Sequence, residues 1–253
     1  MSKVFTKTYE VGYRDSNPRR ECKFSSYMEF MSDIGFKHDA SLDLSISDLL
    51  QNNRTWMVFD YRIKVFKPTN YQEQLEVKTY IKTFRKYFAV RGFEIYNKEN
   101  ELILQSESLI FFIDTLKEKP CTIPECYYDK YNISQENKNI RINKLKLKKL
   151  ERVDIQKEFD IRYSDMDFNS HVCNVNYAKW IIDSMPLEIV ENYRIHELNI
   201  KYEKQIKDQG SIILQTQIEE LKKVINNDSN EHVDDAVENK KSTTSKSNTK
   251  SDK

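Results

Sequence analysis

Asp165-Met-Asp-Phe-Asn-Ser-His171 lies within a longer stretch, Lys157-Glu-Phe-Asp-Ile-Arg-Tyr-Ser-Asp-Met-Asp-Phe-Asn-Ser-His-Val-Cys-Asn-Val-Asn-Tyr177, whose pattern the chain has already used once. Residues 7–35 align with residues 157–185 without a gap, at a constant offset of 150. Tyr9 falls on Phe159, Val11 on Ile161, Tyr13 on Tyr163 and Asp15 on Asp165. Further on, Tyr27 falls on Tyr177, Phe30 on Trp180, Met31 on Ile181 and Asp33 on Asp183. A register kept through two different local patterns argues for two copies of one structural unit.

Each copy opens as a half-buried strand: Tyr9, Val11 and Tyr13 alternate, as do Phe159, Ile161 and Tyr163. After a polar turn, Tyr27, Phe30, Met31 and Ile34 recur at helical spacing and form one apolar stripe. Tyr177, Trp180 and Ile181 repeat the stripe, and Pro186 lies close to that helix end. The first copy then predicts four strands: Trp56 to Phe66, Glu73 to Lys82, Tyr87 to Tyr96 and Glu101 to Asp114. Asn97-Lys-Glu-Asn100 is the turn joining the last pair. The expected fold class is α+β, each unit a long helix packed on an antiparallel sheet.

The second copy continues with Glu197 to Lys204, which matches Asp60 to Lys67, and with a strand from Gly210 to Glu219. Counterparts of the last two strands of the first copy are not visible, so the second unit reads as short. The expected division is residues 1–130, a linker over 131–156, a second unit over 157–225 and a polar tail over 226–253. The tail is expected to be disordered, having too little apolar surface to offset its ordering entropy. The basic run Lys144-Leu-Lys-Leu-Lys-Lys-Leu150 reads as solvated linker rather than as a partner-binding patch.

Bulk properties narrow the function. The 253 residues carry a formal net charge of only +1, which gives no reason to expect nucleic-acid binding. Four cysteines, Cys22, Cys121, Cys126 and Cys173, form no close pair and accompany only four histidines. Neither a zinc site nor a disulfide framework is expected, and no cofactor is called for. The first ten residues lack an apolar leader, and no run approaches the ~20 apolar residues of a membrane span. These readings lead to the expectation of a cytoplasmic protein with reduced thiols.

The chemistry concentrates in the second copy. Asp165, Asp167, Asn169 and His171 alternate, and an extended segment would place all four on one face. They immediately precede a helix, whose N-terminal N–H groups and positive dipole end suit an oxygen gaining negative charge. His171 can serve as a general base on water near neutral pH. Asn169 can hold that water or the carbonyl oxygen, and Asp167 can orient either neighbour. Helix capping is the plainer alternative for any one of these polar residues. The corresponding strip in the first copy, Asp15 to Lys23, has no Asn-x-His and offers no base.

The run Tyr163 to Pro186 resembles the acyl-ACP thioesterases of plants and bacteria, whose motif reads S-D-x-D-x-N-x-H-V-N-N-x-x-Y. Ser164, Asp165, Asp167, Asn169, His171, Val172, Asn174 and Tyr177 match it in place. Trp56-Met-Val58 and Ile123-Pro-Glu125 resemble the first half of that family. The resemblance, over roughly residues 3–219, implies a double hotdog fold: two tandem units, each a long helix wrapped by a sheet. It implies hydrolysis of fatty acyl-ACP to free fatty acid, within lipid metabolism, with Asp167, Asn169 and His171 catalytic. Acyl carrier protein is the implied partner. Acyl-CoA is an alternative carrier, and a non-catalytic acyl-ACP-binding protein an alternative function. Basic side chains such as Arg19, Arg20, Arg85 and Lys86 could dock an acidic carrier, although a solvated surface explains them equally. Chain length would follow from pocket depth around the helix from Ser25 to Phe36 and the strand at Trp56. Single hotdogs pair as dimers; two fused copies could meet that need within one chain, and a homodimer also stays open.

Two positions depart from the family. A catalytic Glu is expected three residues after a Tyr on the next strand, followed in plant members by a Cys. After Tyr202 those places hold Gln205 and Ile206. A cysteine nucleophile is therefore absent there, and Cys173 reads as a buried thiol rather than as its replacement. Gln205 can hydrogen-bond a water but cannot take a proton.

Overall fold

The computed structural model describes residues 2–133, 142, 145–207, 210–220 and 247–248. The chain folds as a double hotdog, and the repeat seen in the sequence is repeated in space. The first copy begins with β1 (Val4–Glu10), a 3-10 turn (Tyr13–Asp15) and the central helix α1 (Phe24–Ser41). A short helix α2 (Ile46–Gln51) leads to β2 (Arg54–Val65), β3 (Gln74–Arg85), β4 (Phe88–Tyr96) and β5 (Leu102–Asp114). A two-residue strand β6 (Lys119–Pro120) and α3 (Glu125–Lys130) close the copy. The second copy repeats the opening with β7 (Ile155–Asp160), a 3-10 turn (Tyr163–Asp165) and α4 (Asn174–Ser184). It continues with α5 (Leu187–Asn192), β8 (Glu197–Lys201) and β9 (Ser211–Thr216).

The four strands read from the alternation in copy one are present within a few residues of their expected bounds. All strand pairs are antiparallel, in the order β1-β3-β4-β5-β2-β8. Alternation of buried and half-buried positions along most of β3 shows why: Leu75, Val77, Thr79 and Ile81 face the core. Tyr27, Met28, Met31 and Ile34 of α1 are buried on that core and recur at helical spacing. The helix runs beyond the expected Phe36, to Ser41. It stops where Asp43 adopts the left-handed region (φ 53°) and its N–H bonds the Ala40 carbonyl. α4 is shorter because Pro186 holds Met185 extended (ψ 149°).

The copies are joined through β2 and β8, antiparallel, with Arg62 opposite Asn199. α1 and α4 also touch: Lys179 Nζ lies 2.8 Å from Glu29, the residue 150 positions earlier. Equivalent positions thus meet across a pseudo-twofold axis, the arrangement of a symmetric dimer inside one chain. β7 and β9 form a separate small sheet, β7 pairing with β9 over Ile155–Asp160. β8 and β9 occupy the roles of β2 and β3. Among the described residues no counterpart of β5 follows them, and only a two-residue strand beside β9 takes the place that β4 takes beside β3. Of the expected tail, only Ser247–Asn248 are described; this strand, β10, pairs with β9 at Leu214 and Ile213. The rest of the tail, and most of the first half of the expected linker, lie outside the described residues. No helix among the described residues is long and apolar enough to cross a membrane.

Candidate active site

The polar motif does not run as a straight strand, so the expectation that its four residues share one face is corrected. The 3-10 turn comes first, closed by the Arg162 N–H donating to Asp165 Oδ2 at 2.8 Å. Met166 then bridges to Val172, and the residues between them form a tight loop. Within it the Asp167 N–H donates to the His171 carbonyl (2.7 Å) and the Ser170 N–H to the Asp167 carbonyl (3.0 Å). Ser170 takes the left-handed region (φ 59°) to complete the reversal. Asp165 is thereby turned into a support. Its side chain caps the turn, while its carbonyl accepts from the Cys173 N–H (2.8 Å) and from Asn176 Nδ2 (2.9 Å).

Asp167, Asn169 and His171 do come together, half-buried, in the lining of a cleft of about 880 Å³. Asp167 Oδ1 accepts the N–H groups of Asn169 (2.8 Å) and His171 (3.3 Å). Its Oδ2 lies 3.5 Å from Asn169 Nδ2. The carboxylate therefore orients both neighbours through their backbone, as an Asx turn does. Burial draws the His171 pKa below its ordinary value, and Lys207 adds to this; the charges of Asp167 and Glu118 oppose it. A neutral imidazole near pH 7 is what a general base requires. Just beyond, α4 starts at Asn174 with no side chain capping it. The positive dipole end of the helix can receive developing negative charge.

The rest of the cleft belongs mainly to the first copy. Met31 and Phe36 on α1, Val58 on β2, Phe93 on β4 and Ile110 on β5 give it apolar walls. Phe168, between Asp167 and Asn169, packs edge-on against Phe36, with ring centroids 5.5 Å apart, and ties the loop to the cleft. Helix α1 and Trp56 are among the lining of the cleft. Less expected is a polar group in the same wall. Arg91 is buried with Asp39, donates to the Gly35 carbonyl (3.2 Å) and lies 3.2 Å from the Tyr131 hydroxyl. A buried pair of this kind holds only while both charges are present.

Both departures from the family pattern are visible in space. Ile206 is buried, and its carbonyl accepts the Val172 N–H at 2.9 Å. Gln205 is exposed, and its Nε2 lies 2.8 Å from Met57 Sδ. Burial pushes the Cys173 thiol above its ordinary range, against the ionisation a nucleophile needs. Sequence reading missed Glu118 and Lys207, which form an ion pair across the copies and line the cleft with His171. Charged residues in loops carry no local signal for such a meeting. Arg19, considered for carrier docking, is committed to the joint between copies. It pairs with Glu21 at 3.0 Å and donates to the carbonyls of Val190 and Glu191. Among the described residues no group of His, Cys, Asp and Glu could hold a metal.

Comparison with known proteins follows the same division. Residues 2–131 match the family model described as acyl-ACP thioesterase N-terminal domain, and residues 148–249 the model described as its C-terminal domain. A dodecanoyl-[acyl-carrier-protein] hydrolase, chloroplastic, of Umbellularia californica is 22% identical over 219 residues, 80% of this chain and 56% of that one. A palmitoyl-acyl carrier protein thioesterase, chloroplastic, of Gossypium hirsutum is 22% identical over 214 residues, 80% of this chain and 52% of that one. The chain spans about half the length of these curated relatives. A solved structure from Lactobacillus plantarum has a TM-score of 0.82 at 18% identity, covering 88% of this chain and 87% of that one. The 12:0-ACP thioesterase from Umbellularia californica has a TM-score of 0.73 at 19% identity, covering 85% and 88%. At such identities these structures speak for the fold.

Proposed function

We propose that this chain, which belongs to the acyl-ACP thioesterase family, hydrolyses the thioester of a fatty acyl group carried on acyl carrier protein. One observation carries the reading: Asp167, Asn169 and His171 line one cleft together with apolar side chains of the first copy, among them Met31, Phe36, Val58, Phe93 and Ile110. A thioester beside these three would have its acyl chain along α1 and its carbonyl near the start of α4, both of which line the cleft.

The proposed reaction is a single displacement. His171 takes a proton from a water held by Asn169, and the water oxygen attacks the carbonyl carbon. The resulting oxyanion is met by the N-terminal end of α4. Collapse of the intermediate breaks the C–S bond, and the leaving thiolate takes the proton back from His171. Fatty acid and free carrier thiol are the products. No cysteine is required, in keeping with Ile206 and with the raised Cys173 thiol.

Incubation with medium- and long-chain acyl-ACPs, followed by a thiol assay, tests this. Wild type should release thiol and His171→Ala should not; equal rates would overturn the mechanism. Gln205, with its amide toward Met57, favours a second reading, an acyl-ACP-binding protein with little turnover. Under that reading the acyl carrier binds without release. An acyl-CoA substrate differs only in carrier and is tested by the same assay. A cytoplasmic location is part of the proposal. It rests on four free cysteines, which suit a reducing compartment, and a fluorescent fusion would check it.

A further inference from the structure

We infer that Glu118, contributed by the first copy and held by Lys207, is a positioning residue that supplies the second carboxylate of the site, steadying the charge His171 acquires on taking a proton. The inference rests on the thioesterase reading. It answers a gap in the geometry: Gln205 carries no charge, and its amide is directed at Met57 rather than at His171 or Asn169.

Three observations place Glu118 there. The segment 205–207 runs beside the motif, because the Ile206 carbonyl accepts the Val172 N–H at 2.9 Å. Ile206 points into the core (6% exposed). In an extended segment its neighbours Gln205 and Lys207 project the other way, and both line the cleft. Lys207 Nζ pairs with Glu118 Oε1, which brings a first-copy carboxylate to the side of the motif that Gln205 shares.

Glu118 is also preset. It lies in the turn between β5 and β6 with φ 51°, a conformation uncommon for a residue with a side chain. Asp114 Oδ1 anchors that turn by accepting the N–H groups of Leu116 (3.2 Å) and Lys117 (3.0 Å), and Arg54 lies 2.9 Å from Asp114 Oδ2. The charged groups acting on His171 are Asp167 from its own loop, Lys207 from the segment after β8 and Glu118 from the turn after β5. The two carboxylates favour the imidazolium, and Lys207 opposes it. Neutralising Glu118 leaves Lys207 without its counter-charge beside the base.

Glu118→Gln tests the inference, since both partners are largely exposed and the pair adds little to stability. We expect an unchanged Tm and a kcat/KM lower by on the order of tenfold, less than the 10²–10⁴ of the general base itself. The acid limb of the pH profile should move to lower pH, and Lys207→Gln should move it to higher pH. Adding Gln205→Glu to Glu118→Gln should restore much of the rate. NMR titration of the His171 ring, read without substrate, should show the same opposite shifts. Superimposable titrations and profiles for wild type and Glu118→Gln would overturn the inference even in an active enzyme. Shifted titrations in a protein that releases no thiol would instead overturn the thioesterase reading and leave the coupling in place.

Discussion

Residues 12–23 and 162–173 follow the same backbone path and put it to different use. Each begins with an Asp capping a 3-10 turn: Gly12 N–H to Asp15 Oδ2 at 3.0 Å, and Arg162 N–H to Asp165 Oδ2 at 2.8 Å. Each reverses through a left-handed residue, Arg20 (φ 62°) in one and Ser170 (φ 59°) in the other. Asn17 Oδ1 accepts two backbone N–H groups, of Arg19 and Glu21, as Asp167 Oδ1 accepts those of Asn169 and His171. At the next two alternate positions the copies diverge. Arg19 and Glu21 fasten the first loop to the second copy, Glu21 bonding Arg194 Nε at 2.9 Å. Asn169 and His171 instead line a cleft walled by the first copy. One loop secures the joint, and its pseudo-symmetric mate opens onto the cleft. The comparison teaches that the loop is a scaffold whose role depends on what stands opposite it.

The largest expected effect separates the two loops outright. His171→Ala should lower thioester turnover by 10²–10⁴-fold, the span of a general base. Glu21→Ala should leave kcat unchanged and show only in the melting curve. Moving the second loop's residues into the first sharpens the point. Asn17→Asp, Arg19→Asn and Glu21→His together, in a His171→Ala background, should restore no turnover, because the first loop faces Arg194 and α5 rather than an apolar cleft. Thiol release by that variant would show the motif to be sufficient by itself.

A smaller effect is expected from Asp167→Asn, which copies the first loop's own solution. The amide oxygen can accept the same two N–H groups, so the Tm should hold. The charge that favours the His171 imidazolium is lost. The rate should fall on the order of tenfold, and the acid limb should move to lower pH, since His171 then stays neutral further down. A matching loss of Tm would show that the charge, not only the turn, holds the loop. Smallest is Glu21→Gln, which removes one ion-pair partner of Arg19 and Arg194. Because Arg194 is mostly exposed (59%), denaturant unfolding should register about 1 kcal/mol or less.

Much of the fold was legible because its signals are local. Alternation marked β2 to β5, helical spacing marked α1 and α4, and the offset between Tyr27 and Tyr177 marked the repeat. Short helices such as α2 and α5 gave no periodic stripe long enough to read. Within the site, Asp167, Asn169 and His171 were readable from alternation and motif. Asp165 was misplaced because a turn, not a strand, carries it, and the bridge between Met166 and Val172 that makes the turn has no sequence signature. Arg91 with Asp39, and Glu118 with Lys207, could not be read at all. Each pair joins residues far apart in the chain, and a charged residue gives no sign of its partner.

The sequence by itself therefore determined that two like units stand in tandem, that the second carries Asn-x-His and the first does not, and that Gln205 and Ile206 break the expected pattern. These are matters of residue type and spacing, which local geometry translates directly into strands, helices and faces. Only the tertiary structure decided that the first copy walls the cleft beside the second copy's His171, that Gln205 faces Met57, and that Glu118, paired with Lys207, lines the same cleft. Those follow from the pairing of β2 with β8 and from the meeting of α1 with α4 at Glu29 and Lys179. Such long-range contacts are chosen by the packing of whole faces, and no short stretch of sequence contains them.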